Sequence, residues 1–175
     1  MKPKFLSIKI PLAAALCMLV LAAASVQAAP DVLIGFVLPL TNSSAETGKQ
    51  IKLGAEIAAA EINANGGVAS LGGARLKLIF EDSATTPSTG FSATERLITE
   101  KEVSVLCGAY NSFVTFPATQ VAEKYKTPWV VTSSVMGEIT ERGFNYVFRP
   151  CNTEFYDAKD QFDAIEAFSE ETGAY

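Results

Sequence analysis

Few side chains in this sequence are of the types that perform catalysis. The 175 residues contain no histidine, so Ser-His-Asp and Cys-His catalysis and the common zinc sites lack their central residue. The adjacent carboxylates Glu81 and Asp82 could act as general acid and base or bind a metal ion, but no third convergent ligand accompanies them. We interpret this pair as solvated or as capping nearby backbone. We therefore expect a protein that is not an enzyme, with no cofactor and no metal.

Phosphate-binding patterns are present only in part. The apolar run "VLIGFVLPL" is followed by "TNSSAETGKQIKLG", whose glycines are six residues apart, whereas the dinucleotide fingerprint needs Gly-x-Gly-x-x-Gly after a strand. Thr47-Gly48-Lys49 resembles a piece of a phosphate loop, but Gln50 stands where Ser or Thr would reach magnesium. The stretch "GGVASLGG" follows a helical pattern and is interpreted as a turn. A nucleotide-binding enzyme is not expected.

Residues 1–28 have the pattern of a secretory signal peptide. Three lysines precede an apolar run from 10 to 24, and small residues lead up to Ala28. One alternative is a membrane anchor, but a membrane span needs about 20 apolar residues and this run is shorter. The other is a lipoprotein acylated at Cys17, which the large leucine directly before that cysteine disfavours. We expect cleavage after Ala28, a periplasmic protein, and no direct membrane insertion afterwards.

The charge of the chain argues against polyanionic partners. The sequence has 14 basic and 19 acidic side chains, and three of the lysines lie in residues 1–28. The part from residue 29 onward therefore carries a net charge of −8, with 11 basic and 19 acidic side chains. Binding to nucleic acid or anionic lipid requires clustered Lys and Arg. Neither partner is expected.

Apolar runs of strand length alternate with helical patterns after residue 30. Gly54 is expected to let the first helix pack closely on the sheet, and Asn65-Gly66-Gly67 to end that helix. Because parallel strands buried on both faces are continuously apolar, we predict an α/β three-layer sandwich with a parallel sheet. Strands are predicted at 32–40, 76–80, 103–110, 128–134 and 146–150, and helices at 50–64, 88–101, 113–125 and 153–174, with Ser88 as an N-cap.

Two cysteines remain after the predicted cleavage, Cys107 and Cys151. The periplasm permits disulfides, but spacing alone does not place the two sulfur atoms close together, and a buried free cysteine behaves as a small apolar residue. The sequence leaves both possibilities open.

Polar residues gather where the predicted strands end. The segments 39–48, 81–86, 109–112 and 132–135 are rich in Ser, Thr and Asn and contain no lysine or arginine. In open parallel sheets ligands bind beyond the carboxyl ends of the strands. Hydroxyl groups and free helix N-termini there suit a small ligand with a carboxylate or another polar group.

Several long stretches resemble, in order and spacing, the N-terminal half of type I periplasmic substrate-binding proteins. The most specific pieces are "AAAEINANGG", the acidic end of the second strand, and the close of "YVFRP". The nearest group is the leucine/isoleucine/valine-binding branch, which serves ABC importers of branched-chain amino acids and amides. The resemblance implies a two-lobe receptor that binds a small amino acid or similar molecule and delivers it to an ABC permease. A sensory or regulatory ligand-binding domain of the same fold is the alternative.

The resemblance also implies a set of ligand contacts. Ser112, which opens the helix after the third strand, matches the serine that holds the ligand carboxylate. Ser133 matches a carbonyl that holds the ammonium, and Val135 stands where a threonine is expected, so that only the N–H remains. Ser134 is a candidate replacement for the lost hydroxyl, or the ligand lacks a full amino-acid head group. Thr47 stands in place of a bulky side chain, which implies room for a larger ligand.

The resemblance covers only one lobe of such a receptor. It implies a signal peptide at 1–28, ligand-binding lobe 1 at 29–152, and the first helix of a truncated lobe 2 at 153–175. Lobe 2 would be largely missing. We expect either a fragment of a longer receptor or a genuine single-lobe protein. The last helix carries an apolar stripe with no sheet to cover it, formed by Phe155, Phe162, Ile165 and Phe168.

Overall fold

The computed structural model describes residues 29–173, and the predicted signal peptide lies outside them. The strands are β1 Val32–Leu38, β2 Leu76–Asp82, β3 Val105–Gly108, β4 Trp129–Val131 and β5 Val147–Phe148. The helices are α1 Ala45–Ala64, α2 Pro87–Thr99, α3 Ser112–Tyr125, α4 Glu138–Glu141 and α5 Glu154–Thr172. The predicted alternation of strands and helices is confirmed, and the short α4 is an addition that the sequence did not indicate.

The five strands form one parallel sheet in the order β2-β1-β3-β4-β5. In β1, Val32 pairs with Leu76 of β2, and Ile34 pairs with Val105 of β3. The chain leaves β1 in one direction to form β2 and returns past β1 to form β3. The carboxyl ends of β1 and β3 therefore meet at a topological switch point, where such sheets bind ligands.

One face of the sheet forms the main core with α2 and α3. Leu97 of α2, Leu106 of β3 and Trp129 of β4 are fully buried there. The indole N–H of Trp129 donates to the carbonyl of Gly108 at 2.8 Å, so the one polar atom of this large side chain is satisfied. This core fixes β3 and β4, the two strands that carry most of the candidate site.

The opposite face is covered by α1 over β1 and β2. The rings of Phe36 and Phe80 lie 5.2 Å apart beneath this helix, and Ala59 of α1 is buried. Further along the sheet, Val130 is half-buried and Phe148 is exposed. Helices on both faces of a parallel sheet give the predicted α/β sandwich.

The start of α1 differs from the prediction. The helix begins at Ala45 rather than near Gln50, and Gly48 in its first turn packs so closely on the β1 loop that a Cβ there would lie 2.0 Å from the carbonyl oxygen of Pro39. Gly54 has open space around it, so the close packing predicted for Gly54 is wrong. The end of α1 is confirmed, because Gly67 has φ +76° and donates its amide to Ile62 at 2.9 Å.

The start of α2 is corrected by two residues. Thr86, not Ser88, is the N-cap, and its side chain accepts a hydrogen bond from the amide of Thr89 at 3.4 Å. Pro87 explains the shift, because proline fixes the first helical φ and favours an extended residue before it.

The last helix, α5, stands apart from the sheet, with none of its residues buried. The predicted apolar stripe of Phe155, Phe162, Ile165 and Phe168 is 54–71% exposed. Within residues 29–173, no helix combines the length and apolar character needed to cross a membrane.

Candidate functional site

The parallel strands bring four loops to one edge of the sheet. These loops are 39–44 after β1, 83–86 after β2, 109–111 after β3 and 132–137 after β4. Because β1 and β3 are neighbours in the sheet, their loops flank the switch point described above. The segments singled out from the sequence therefore lie at one edge.

Asp82, the last residue of β2, holds two of these loops together. Its Oδ1 accepts hydrogen bonds from the amides of Leu40 at 2.8 Å, Thr41 at 3.3 Å and Ala84 at 2.8 Å, and its Oδ2 accepts one from the Thr41 hydroxyl at 2.6 Å. Burial acts to raise the pKa of Asp82, but these hydrogen bonds stabilise the charged form and hold the pKa below its ordinary value. With both oxygens engaged, Asp82 serves the structure of the loops.

Glu81 is also engaged. Its carboxylate lies 2.6 Å from the Nη2 atom of Arg96 on α2. No group of three or more His, Cys, Asp or Glu residues that could hold a metal ion occurs within the part of the chain that the structure describes. Asp82 thus caps nearby backbone as expected, whereas Glu81 pairs with an arginine side chain instead of backbone.

Ser112 is the first residue of α3 and is half-buried at the end of the β3 loop. Its Oγ accepts a hydrogen bond from the amide of Met136 at 3.4 Å, so the hydroxyl hydrogen is available to another acceptor. Asn111, the N-cap residue, makes no side-chain cap bond. The amides of Ser112 and Phe113 therefore keep the donor capacity and partial positive charge of a helix N-terminus, and with the Ser112 hydroxyl they suit a carboxylate.

Asn111 and Ser44 join two loops across the switch point, and sequence reasoning missed them. The Nδ2 of Asn111 donates to the Oγ of Ser44 at 3.2 Å. The Asn111 Oδ1 is buried and has no hydrogen-bond partner among the described residues. No sequence pattern marks this pair, because the two residues are 67 positions apart and meet only through the order of the strands.

The loop after β4 places its two predicted serines differently. Ser133 is half-buried. Ser134 is only 1% exposed, and its hydroxyl lies 2.5 Å from the hydroxyl of Thr115 and donates to the carbonyl of Tyr110 at 3.1 Å. The Ser134 hydroxyl is enclosed and already bonded. Its predicted role as a replacement for the hydroxyl missing at Val135 does not fit this geometry.

Two backbone carbonyls of the same loop are occupied by the segment that leads into α5. The carbonyl of Val135 accepts the amide of Glu154 at 2.9 Å, and the carbonyl of Met136 accepts the Nη2 of Arg149. The carbonyl of Ser133 accepts no hydrogen bond within residues 29–173. Of these three carbonyls, the one predicted to face a ligand is the one still available.

Thr47 lies in the first turn of α1 and not in the loop before it, because α1 begins at Ala45. It is half-buried, and no side-chain hydrogen bond within the described residues joins it to Ser112 or to Val135. Ser112 thus contacts the β4 loop directly through the amide of Met136. No such hydrogen bond links Thr47 to this loop within the described residues.

A small cleft lies beside Ser112. It has a volume of about 360 Å³ and is lined by Phe113, Phe116, Met136 and Glu138. A larger groove of about 680 Å³ runs between α1 and β2, with Asn63 among its lining residues. We place the candidate site at the smaller cleft, because only this one adjoins a carboxyl strand end and a free helix N-terminus.

The two cysteines of the described chain are both free thiols. Burial raises the pKa of the Cys107 thiol to about 11, so this side chain stays protonated and unreactive near neutral pH. The disulfide that the sequence left open is absent from this structure.

A family model described as periplasmic binding protein matches residues 31–168. The chain belongs to the periplasmic binding protein family. Its relatives place it among the type I proteins of the branched-chain amino acid group, in agreement with the resemblance noted in the sequence. The relatives have the names of binding proteins, not of enzymes.

Curated relatives share about a third of their residues with this chain over the matched region. The amino acid binding protein of Pseudomonas aeruginosa is 32% identical over 130 residues, covering 74% of this chain and 34% of the relative. The Leu/Ile/Val-binding protein homolog 2 of Brucella abortus is 30% identical over 138 residues, covering 79% of this chain and 36% of the relative. The chain thus spans about a third of the length of these relatives.

Solved structures give the same match. A branched-chain amino acid transporter substrate binding protein from Streptococcus pneumoniae, in complex with isoleucine, superposes with a TM-score of 0.66 at 28% identity, covering 70% of this chain and 34% of that one. An ABC transporter solute binding protein from Rhodopseudomonas palustris, in complex with 3,4-dihydroxybenzoic acid, gives 0.59 at 27% identity, covering 70% and 32%. Both confirm the fold.

Proposed function

We propose that this chain is ligand-binding lobe 1 of an extracytoplasmic substrate-binding protein. The protein captures a small carboxylate and delivers it to an ABC permease. The observation that carries the proposal is the placement of Ser112, whose free hydroxyl hydrogen lies at the N-terminus of α3 beside the β4 loop. The Ser112 hydroxyl and the Val135 amide hold the carboxylate. The carbonyl of Ser133 accepts an ammonium or another N–H donor, and Thr47 contacts the rest of the ligand from α1.

The relatives support a carboxylate as the common feature of the ligand. Isoleucine and 3,4-dihydroxybenzoic acid, found in the two solved relatives, differ in size and polarity but both bear a carboxylate. An amino acid, as in the Pseudomonas aeruginosa relative, bears one too. A hydroxyl at a helix N-terminus can serve all three, because it recognises the carboxylate and not the remainder of the molecule.

The proposed domain arrangement follows the sequence expectations. Residues 1–28 are a signal peptide removed after Ala28, residues 29–152 form lobe 1, and residues 153–175 begin a second lobe that closes over the ligand in the periplasm. The exposed apolar stripe of α5 supports this division, since a helix face of that kind needs a partner surface. The protein binds and releases its ligand without altering it.

Replacing Ser112 tests this function. Ser112→Ala in the complete receptor is expected to weaken binding of a carboxylate ligand by about 1.5–3 kcal/mol, the range for a hydrogen bond to a charged group. That is roughly one to two decades in the dissociation constant, measured by calorimetry. Ser92→Ala, at an exposed position of α2 outside these loops, is the matched control. Equal affinities of the Ser112→Ala and wild-type proteins would show that Ser112 only begins the helix.

A further inference from the structure

The cleft beside Ser112 is almost entirely apolar. The contacts proposed for the ligand carboxylate do not involve its lining side chains. Phe113, Phe116 and Met136 form its walls, with Glu138 at the rim. The amide of Met136 reaches the Oγ of Ser112 at 3.4 Å, and Phe113 follows Ser112 directly on α3. A group attached to a carboxylate at Ser112 therefore has a short path into this cleft. The Phe113 ring is 50% exposed and available for contact.

One aromatic residue lining the cleft, Phe116, packs against Arg142. The guanidinium of Arg142 packs 4.0 Å from the ring centroid of Phe116 and 4.3 Å from that of Phe144. It also donates to the carbonyl of Phe116 at 3.0 Å and to the hydroxyl of Thr119 at 2.5 Å. The Phe116 ring is thereby held in place, while Met136 is a side chain that adapts its shape. A flat ring stacks well on such a surface.

The same loops offer little to an α-ammonium group. Loops 39–44, 83–86, 109–111 and 132–137 contain no acidic side chain, and the acidic residue at the cleft is Glu138, directly after the last of them. The nearby Asp82 and Glu81 are already engaged with the β1 loop and with Arg96. Valine at position 135 supplies no hydroxyl. In the β4 loop, the oxygen that we assign to an ammonium is the Ser133 carbonyl, which accepts no hydrogen bond within residues 29–173.

The volume of the cleft and the charge at its rim further restrict which ligands fit. An apolar cavity of about 150 Å³ is enough to hold benzene, so the 360 Å³ cleft accommodates one ring with small substituents. Glu138 at its rim is exposed and carries a negative charge. A second carboxylate at the far end of the ligand would meet this charge and be repelled.

We propose that the ligand is a monocarboxylate whose apolar part is an aromatic ring or a similarly flat group, seated against Phe113 and Phe116. This inference rests on the proposed function, because it takes Ser112 as the carboxylate contact. The inference goes beyond that function by assigning ligand specificity to the cleft, whose lining side chains determine which carboxylates bind.

Calorimetry on the complete receptor tests the inference with four probes: benzoate, benzamide, terephthalate and L-leucine. Benzoate is expected to bind at least ten-fold more tightly than each of the others. Phe113→Ala is expected to weaken benzoate binding five- to twenty-fold. Leu53→Ala, which removes an exposed apolar side chain from α1, is the matched control and should leave the affinity unchanged.

The outcomes separate this inference from the proposed function. Tighter binding of L-leucine than of benzoate would overturn the inference and leave a carboxylate receptor in place. An unchanged benzoate affinity in Phe113→Ala would show that the ring lies elsewhere, and equal binding of terephthalate would remove the role of Glu138. A folded receptor that binds neither benzoate nor L-leucine would overturn the inference. Benzamide binding as tight as that of benzoate would contradict the carboxylate contact of the proposed function as well.

Discussion

Asp82 contributes to the candidate site as a structural residue, because its four hydrogen bonds fix the loops after β1 and β2. Asp82→Asn is expected to lower the free energy of unfolding at pH 7 by about 1.5–3 kcal/mol, since an amide lacks the charge and presents N–H groups to backbone donors. Urea unfolding measures the change. Asp160→Asn, on the exposed face of α5, is the matched control.

The pH dependence of this effect has a defined sign. The pKa of Asp82 in the folded protein is lowered from the ordinary value of 3.8. Its contribution is therefore fully present above the unfolded pKa and is lost as pH falls through the folded pKa. The stability difference between wild type and Asp82→Asn should shrink below about pH 4. A difference of the same size at pH 3 and pH 7 would show that the charge is not what stabilises the loops.

The positions of some site residues could be predicted from the sequence, and those of others could not. Local pattern placed the polar segment 109–112 between a strand and a helix, whereas the choice of Ser112 as the carboxylate contact came from the family resemblance. The burial of Ser134 could not be predicted, because it depends on the contact with Thr115 of α3, and loop residues have no periodicity to indicate which way a side chain points. The Asn111–Ser44 bond depends on strand order for the same reason.

At the level of elements, the segment between β5 and α5 positions the ligand loop. Arg149 donates to the carbonyl of Met136, and the amide of Met136 donates to Ser112, so the backbone of Met136 is held through both of its polar groups. Arg149→Met is expected to speed hydrogen exchange at the Met136 amide and to weaken carboxylate binding roughly three- to ten-fold, which corresponds to about 0.6–1.4 kcal/mol. Amide exchange and calorimetry give the two readouts.

Two further variants make this test specific. Arg149→Lys keeps the positive charge and a donor nitrogen, so it should recover part of the lost affinity. Lys101→Met removes an exposed charge after α2 and should change neither readout. If Arg149→Met left exchange at Met136 as slow as in wild type, the loop would be held by its other contacts.

The sequence predicted the type and order of the long elements, because apolar runs and helical spacing reflect burial directly. It placed two helix starts wrongly for identifiable reasons. The apolar face of α1 begins at Ile51, but Gly48 lets an earlier turn pack on Pro39. Thr86 caps α2 because of the proline that follows it. Backbone contacts of this kind leave little trace in hydrophobic periodicity.

At the level of the whole molecule, α5 exposes to solvent the four apolar side chains of its stripe. Residues 29–175 by themselves are expected to self-associate, since an uncovered apolar face of this size is an aggregation liability. Light scattering should show species larger than a monomer. Replacing Phe162 and Phe168 with Asp should restore the monomer, whereas Leu53→Asp on α1 should not. A monodisperse unaltered chain would mean that α5 needs no covering surface.

A crystal structure of the complete receptor with its carboxylate bound tests the central claim most directly. The account predicts a carboxylate oxygen within about 2.6–3.0 Å of the Ser112 Oγ, at the N-terminus of α3, with the rest of the ligand directed toward Phe113 and the β4 loop. A carboxylate bound out of hydrogen-bonding reach of Ser112, for example in the groove between α1 and β2, would contradict it.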